Sequence, residues 1–154
     1  MAKGTISSRI AKMKGYAAGE QTLGRPFIKL NTNENPYPPS PLVARAVSTA
    51  AAEGLERYPP PLADELRKKA AEVYGSSEGS VLVGNGSDEL LAICLRACAG
   101  EGDRVAYSVP TYSLYRTLAE AAGAEIVETE VGAEARARAS VTFICNPNSP
   151  SGRP

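Results

Sequence analysis

Between residues 62 and 145 the sequence switches repeatedly between a helical period and a strand period, and this alternation leaves few architectures open. LADELRKKAAEVYG (62–75) sets Leu62, Leu66, Ala70 and Val73 on one helical face, with Gly75 as a natural stop. SVLVG (80–84) reads as a short strand. SDELLAICLRACAG (87–100) reads as a helix with Ser87 as N-cap, acids in its first turn and Gly100 past its end. It is apolar almost all round, so it is expected to be buried. DRVAYS (103–108) is a strand, TYSLYRTLAEAAG (111–123) a helix ended by Gly123, and AEIVETE (124–130) and VTFIC (141–145) are strands. Strands alternating with helices imply right-handed crossovers, hence an α/β fold: a mainly parallel sheet with flanking helices. Residues before 62 are less regular. They give a helix near 5–14, an extended segment at FIKLN (27–31) and a helix near 41–53, punctuated by NPYPPSP (35–41) and YPPP (58–61).

At 154 residues the chain is long enough for one ordinary domain with its own core. Seventeen basic and seventeen acidic residues cancel, which leaves no electrostatic footprint for nucleic acid or an anionic membrane. No apolar run approaches a membrane span, and the basic N-terminus lacks the apolar centre of a secretory signal. The chain reads as cytoplasmic. Three cysteines, Cys94, Cys98 and Cys145, are too few and too uneven for a disulfide framework. Cys94 and Cys98 stand one helical turn apart, but with no histidine in the chain they read as small buried apolar residues rather than a metal pair. The absence of histidine also excludes Ser-His and Cys-His catalysis within this chain.

Three loops carry chemistry. VGNGSDELL (83–91) ends a strand in a glycine-flanked turn and opens a helix at once. Free N–H groups and the helix dipole there make an anion site, to which Ser87 adds a hydroxyl. It is neither a P-loop nor a dinucleotide fingerprint, since Glu89 stands where a third glycine belongs. Alone, it is better read as an ordinary capped helix. SVPTYSLYR (108–116) puts Tyr112 at the start of the next helix, beside that rim, where a flat ring can stack on a flat ligand. A core-edge tyrosine is an equal reading. CNPNSPSG (145–152) follows another strand end with amide and hydroxyl groups, or is simply a proline-rich turn. Together the three loops supply an anion cradle, a stacking ring and amide donors at one rim of one sheet, which suits a flat, phosphorylated cofactor. KLNTNENPYPPSP (29–41) and GLERYPPP (54–61) are rigid loops of the kind that line sites, or surface connections.

These stretches resemble a known family. LNTNENPYPPSP, RYPPPLADELR, VGNGSDELL, PTYSLYR and CNPNSPSG occur in the order and kind seen in histidinol-phosphate aminotransferase, a fold-type I, pyridoxal-phosphate-dependent enzyme of histidine biosynthesis. The resemblance runs from about Tyr16 to Gly152 and implies the first half of a fold-type I large domain (62–154), preceded by an N-terminal arm and the start of the small domain (1–61). It implies that Ser87, Asp88 and Glu89 open the helix that takes the cofactor phosphate, mostly through backbone N–H groups. Tyr112 resembles the residue that stacks on the pyridine ring, and Tyr58 one that reaches the cofactor phosphate of the other subunit in a homodimer. Tyr16, Asn33 and Asn35 resemble parts of the substrate pocket. Asn148 and Ser149 lie in the loop whose asparagine bonds the phenolic oxygen of pyridoxal 5'-phosphate. The implied partner is a small-molecule substrate, with the amino group passing between glutamate and imidazole-acetol phosphate.

The sequence departs from the family pattern at several points. Ser149 stands directly before the second proline, where the common form has asparagine, and Asn148 comes just before it. RYPPP replaces RYP followed by an acid and a proline. Only ten residues, 131 to 140, separate Glu130 from Val141, so one crossover is shortened. No catalytic residue is assigned: of six lysines the last is Lys69, and none follows the CNPNSPSG loop to hold the cofactor as a Schiff base. The resemblance is therefore to a truncated, inactive enzyme. Two other readings remain: a threonine-phosphate decarboxylase-like or other class I/II aminotransferase fragment, and a non-catalytic binding module for a phosphorylated small molecule.

Overall fold

The computed structural model describes residues 5–15, 19, 28–134 and 137–154. The chain divides into two compact units, Met1–Tyr16 with Gly84–Pro154, and Ala17–Val83.

The first unit holds α1 (Ser8–Lys12), α4 (Ser87–Cys98), β1 (Arg104–Ser108), α5 (Leu114–Ala122), β2 (Glu125–Thr129) and β3 (Val141–Phe143). The expected parallel sheet is there, in the order β2-β1-β3 with both pairings parallel. Arg104 pairs with Glu125 and Tyr107 with Glu128 on one side, and Val105 with Val141 and Tyr107 with Phe143 on the other. Alternation sends Val105, Tyr107 and Phe143 to one face, where they pack with Leu95 of α4 and Tyr115 and Ala119 of α5. Tyr115 stacks on Phe143 at 4.5 Å between ring centroids, with Tyr107 tilted against it at 6.1 Å and Tyr112 edge-on at 5.7 Å. Gly123 ends α5 in the left-handed region (φ +78°), its N–H returning to the carbonyls of Ala119 and Glu120. A side chain there would strike the guanidinium of Arg9 from α1.

The opposite face of β1 is covered by the short link after β2. Arg104 donates to the carbonyls of Ala137 and Arg138, each at 3.3 Å. Glu134 is buried and accepts from the hydroxyl of Ser108, itself buried at the end of β1. Its own backbone N–H holds the carboxyl below the ordinary value of 4.5; Ser108 and the Gly132 backbone add to this, and burial opposes it. A lowered folded-state value stabilises the fold above the unfolded value, and the contribution is lost as pH falls through the folded one. Glu134→Gln is thus expected to flatten the loss of thermal stability below pH 4.5. Equal acid sensitivity in both proteins would show that this carboxylate is not bonded as described.

In the second unit, α2 (Pro41–Ala52) starts where Ser40 Oγ accepts from the Leu42 N–H at 3.3 Å, with Pro41 in the first turn. α3 (Asp64–Tyr74) ends at Gly75, in the left-handed region, whose N–H donates to the Ala71 carbonyl. A single 3-10 turn follows at Glu78–Ser80.

Four expectations require correction. Residues 80–84 form no strand. Val81 is extended, but its carbonyl accepts from Arg67 Nε at 3.0 Å, and among the described residues it has no ladder partner. The expected face of α3 is largely solvent-exposed at Leu62, Leu66 and Val73, and Ala71 is the buried residue. α4 is not buried all round: Leu95 alone is fully buried, with Leu91 and Ala99 packed beside it. Nothing described covers its outer face, so Cys94 and Cys98 are exposed rather than buried. Ser87 is the first helical residue and Gly86 the N-cap. Of FIKLN, Phe27 lies outside the described residues, and 28–30 carry no helix or strand, which an extended segment allows.

Candidate functional site

The carboxyl ends of β1 and β3 and the start of α4 supply the candidate site. Gly86 precedes α4 with φ +81°, and no side chain caps the helix. The N–H groups of Ser87, Asp88 and Glu89 have no partner within the helix, by its geometry. Gly84 lies so close to α4 that an added Cβ would sit 2.9 Å from Leu90 Cδ2 and 3.0 Å from Glu89 Oε2. Both acids are hydrogen-bonded. Glu89 folds back to accept from the Asn85 N–H at 2.5 Å and from Asn85 Nδ2 at 3.1 Å. Asp88 accepts the phenolic hydroxyl of Tyr112 at 3.0 Å and 3.1 Å on its two oxygens. Two carboxylates at an anion site weaken it through repulsion, and these hydrogen bonds tie both to neighbouring groups, while Ser87, Asp88 and Glu89 are exposed residues.

The Asp88–Tyr112 hydrogen bond links the helix start to the loop after β1, across 24 residues of sequence. One residue earlier, Thr111 Oγ1 donates to Asn148 Oδ1 at 2.7 Å, which links the loop after β1 to the loop after β3. Asn148 is buried and Ser149, beside it, is exposed. The Ser149 N–H donates to Cys145 Sγ at 3.4 Å. Ser87, Asp88, Glu89, Tyr112, Asn148 and Ser149 therefore all sit in one unit, on loops joined by direct bonds. Thr111 and Ser151, which bond Asn148, were not singled out by the sequence. A hydroxyl between proline and tyrosine gives no local sign of a partner 37 residues away.

The remaining sequence-based candidates lie elsewhere. Tyr16 falls outside the described residues. Asn33, Asn35 and Tyr58 belong to the second unit. Asn33 adopts a left-handed conformation (φ +52°), and Asn35 Oδ1 accepts from the Tyr37 N–H at 3.0 Å, a turn that asparagine favours. Lys29 pairs with Glu34 in the same loop and holds that carboxyl below its ordinary value. Tyr58 is fully exposed. Among the described residues no group of histidine, cysteine and acidic side chains could hold a metal ion, and no helix is long and apolar enough to cross a membrane.

A parallel sheet with a glycine-flanked helix start and a tyrosine at its carboxyl rim matches the comparison with known families. Residues 25–153 match the family of class I and II aminotransferases, and the chain belongs to that family. Among its relatives is histidinol-phosphate aminotransferase 1 of Nostoc sp., 47% identical over 154 residues, covering 94% of this chain and 44% of the relative. The histidinol-phosphate aminotransferase of Citrifermentans bemidjiense is 45% identical over 156 residues, covering 96% of this chain and 44% of the relative. The chain thus spans under half the length of these curated relatives. Its fold is similar to that of the Sinorhizobium meliloti histidinol-phosphate aminotransferase solved with pyridoxal-5'-phosphate. The TM-score is 0.69 at 25% identity, over 77% of this chain and 35% of that one.

Proposed function

We propose that this chain supplies the phosphate and ring contacts of a histidinol-phosphate aminotransferase site, working with pyridoxal 5'-phosphate in a cytoplasmic homodimer. The whole enzyme would pass an amino group between glutamate and imidazole-acetol phosphate. Residues 62–154 would belong to its large domain, and 1–61 to the arm and the start of the small domain. The observation that carries this reading is the Tyr112–Asp88 hydrogen bond, which fixes an aromatic ring beside the uncapped start of α4. The N–H groups of Ser87, Asp88 and Glu89 would hold the phosphate, and the face of Tyr112 would lie on the pyridine. When bound, the cofactor supplies an electron sink for the substrate's α-carbon. Asn33, Asn35 and Tyr16 would meet substrate, and Tyr58 the phosphate of a second subunit. The lysine that carries the cofactor is not among the six of this sequence that precede the CNPNSPSG loop, so the chain alone should not turn over substrate.

The test uses pyridoxine 5'-phosphate, which has no aldehyde to react with lysines. Calorimetry is expected to show saturable binding, weakened about tenfold or more by Tyr112→Ala. Pyridoxine without phosphate should bind far less. No binding at all would remove the cofactor reading, and turnover of glutamate with imidazole-acetol phosphate would remove the assignment of the lysine elsewhere.

A further inference from the structure

We propose that Asn148 is a positioning residue: it ties the loop after β1 to the loop after β3, sets the spacing between Tyr112 and Ser149, and has no donor left for a ligand. The inference rests on the cofactor reading above for its consequence, though not for its geometry. Asn148 is 2% exposed, and its hydrogen-bonding groups are committed within the protein. Nδ2 carries two hydrogens; one goes to the Pro110 carbonyl at 2.9 Å and the other to Ser151 Oγ at 2.9 Å. Oδ1 accepts from Thr111 Oγ1 at 2.7 Å. The backbone N–H donates to the Arg153 carbonyl at 2.7 Å, and the backbone carbonyl accepts from the Gly152 N–H at 2.6 Å.

Both partners in the β1 loop, Pro110 and Thr111, directly precede Tyr112, and the three partners in the β3 loop, Ser151, Gly152 and Arg153, close the turn that carries Ser149. Rotating the amide out toward a ligand would break its bonds to the Pro110 carbonyl and to the Thr111 and Ser151 hydroxyls at once. Of the two neighbours that the loop offers to a ring oxygen, Ser149 is the exposed one. Asn148 therefore acts on a bound ring through Tyr112 and Ser149, not by contact.

Three variants test this: Asn148→Asp, which keeps the shape and removes both N–H donors, Thr111→Val, and the two combined. Each is measured by amide hydrogen exchange and by calorimetry against pyridoxine 5'-phosphate and inorganic phosphate. Asn148→Asp is expected to speed exchange about tenfold or more in both 108–113 and 146–153. It should weaken pyridoxine 5'-phosphate about tenfold and leave inorganic phosphate within about twofold. Thr111→Val should act in the same direction, and the double variant should be little worse than Asn148→Asp. Faster exchange in 146–153 alone, equal weakening of both ligands, or additive effects would overturn the proposal. Should Asn148→Asp fail to fold by circular dichroism, Thr111→Val carries the same test. If the unaltered chain binds no pyridoxine 5'-phosphate, the cofactor reading fails, and exchange in the two loops still decides whether Asn148 ties them.

Discussion

Replacing Tyr115 with alanine is expected to lower the free energy of unfolding by roughly 3–5 kcal/mol, the range for removing a buried aromatic side chain. Tyr115 is in contact with three other rings. It stacks on Phe143 with the planes 7° apart, meets Tyr112 edge-on and packs against Tyr107. These contacts join α5 to β1 and β3, so the alanine variant removes the piece common to the helix layer and the sheet. Aromatic pairs add about 0.5–1.5 kcal/mol beyond the area they bury. Marginal stabilities of about 5–15 kcal/mol mean that such a loss is a large part of the whole. Urea unfolding followed by circular dichroism measures it, with Tyr115→Phe as the conservative companion. A loss below about 1 kcal/mol for the alanine variant would mean that these rings are not the centre of the core.

The second large effect is alkaline. The phenols of Tyr107 and Tyr115 are both pushed up to about 12, chiefly by burial. At Tyr107 the positive charge of Arg116 opposes the shift and Glu128 adds to it; at Tyr115 a hydrogen bond with Cys145 adds to it. A tyrosine in the unfolded chain ionises near 10. The folded state therefore keeps its protons where the unfolded state loses them. The contribution is complete below pH 10 and disappears as pH rises to about 12. To order of magnitude each ring accounts for about 2–3 kcal/mol across that window. The midpoint of thermal unfolding should fall steeply there, and a Tyr107→Phe, Tyr115→Phe double variant should fall less. If all seven tyrosines titrate together near 10 while the chain stays folded, the burial of these two phenols is contradicted.

What was legible in the sequence was local. Gly75 and Gly123 mark helix ends because only glycine takes the left-handed conformation there without strain, and each stands one residue past the helix it closes. The helix expected near 41–53 is α2, which Ser40 caps and Pro41 opens. The three strands that formed each have a neighbour supplied by the alternation itself. The fourth failed because period and composition say nothing of who lies alongside: SVLVG carries a strand pattern, and Arg67 takes the Val81 carbonyl. α4 was misread for a related reason. An apolar circumference records the surface a helix can bury, not the surface its neighbours reach, and here one face meets the sheet. At the site, the residues at the start of α4 and Tyr112 could be named from their loops. The hydrogen bonds that fix them could not, since Asp88 and Tyr112 are 24 residues apart and Thr111 and Asn148 are 37 apart.

The order β2-β1-β3 gives the sheet a direction of growth. Its two margins differ in chemistry. The β2 margin carries Glu125 and Glu128, one on each face, paired with Arg104 and Arg116. The β3 margin, Val141–Phe143, has no charged residue and runs on into the exposed Ile144. The uncharged border is the one on the side where the CNPNSPSG loop leaves the sheet. That uncharged border thus lies beside the rim that Asn148 and Tyr112 share.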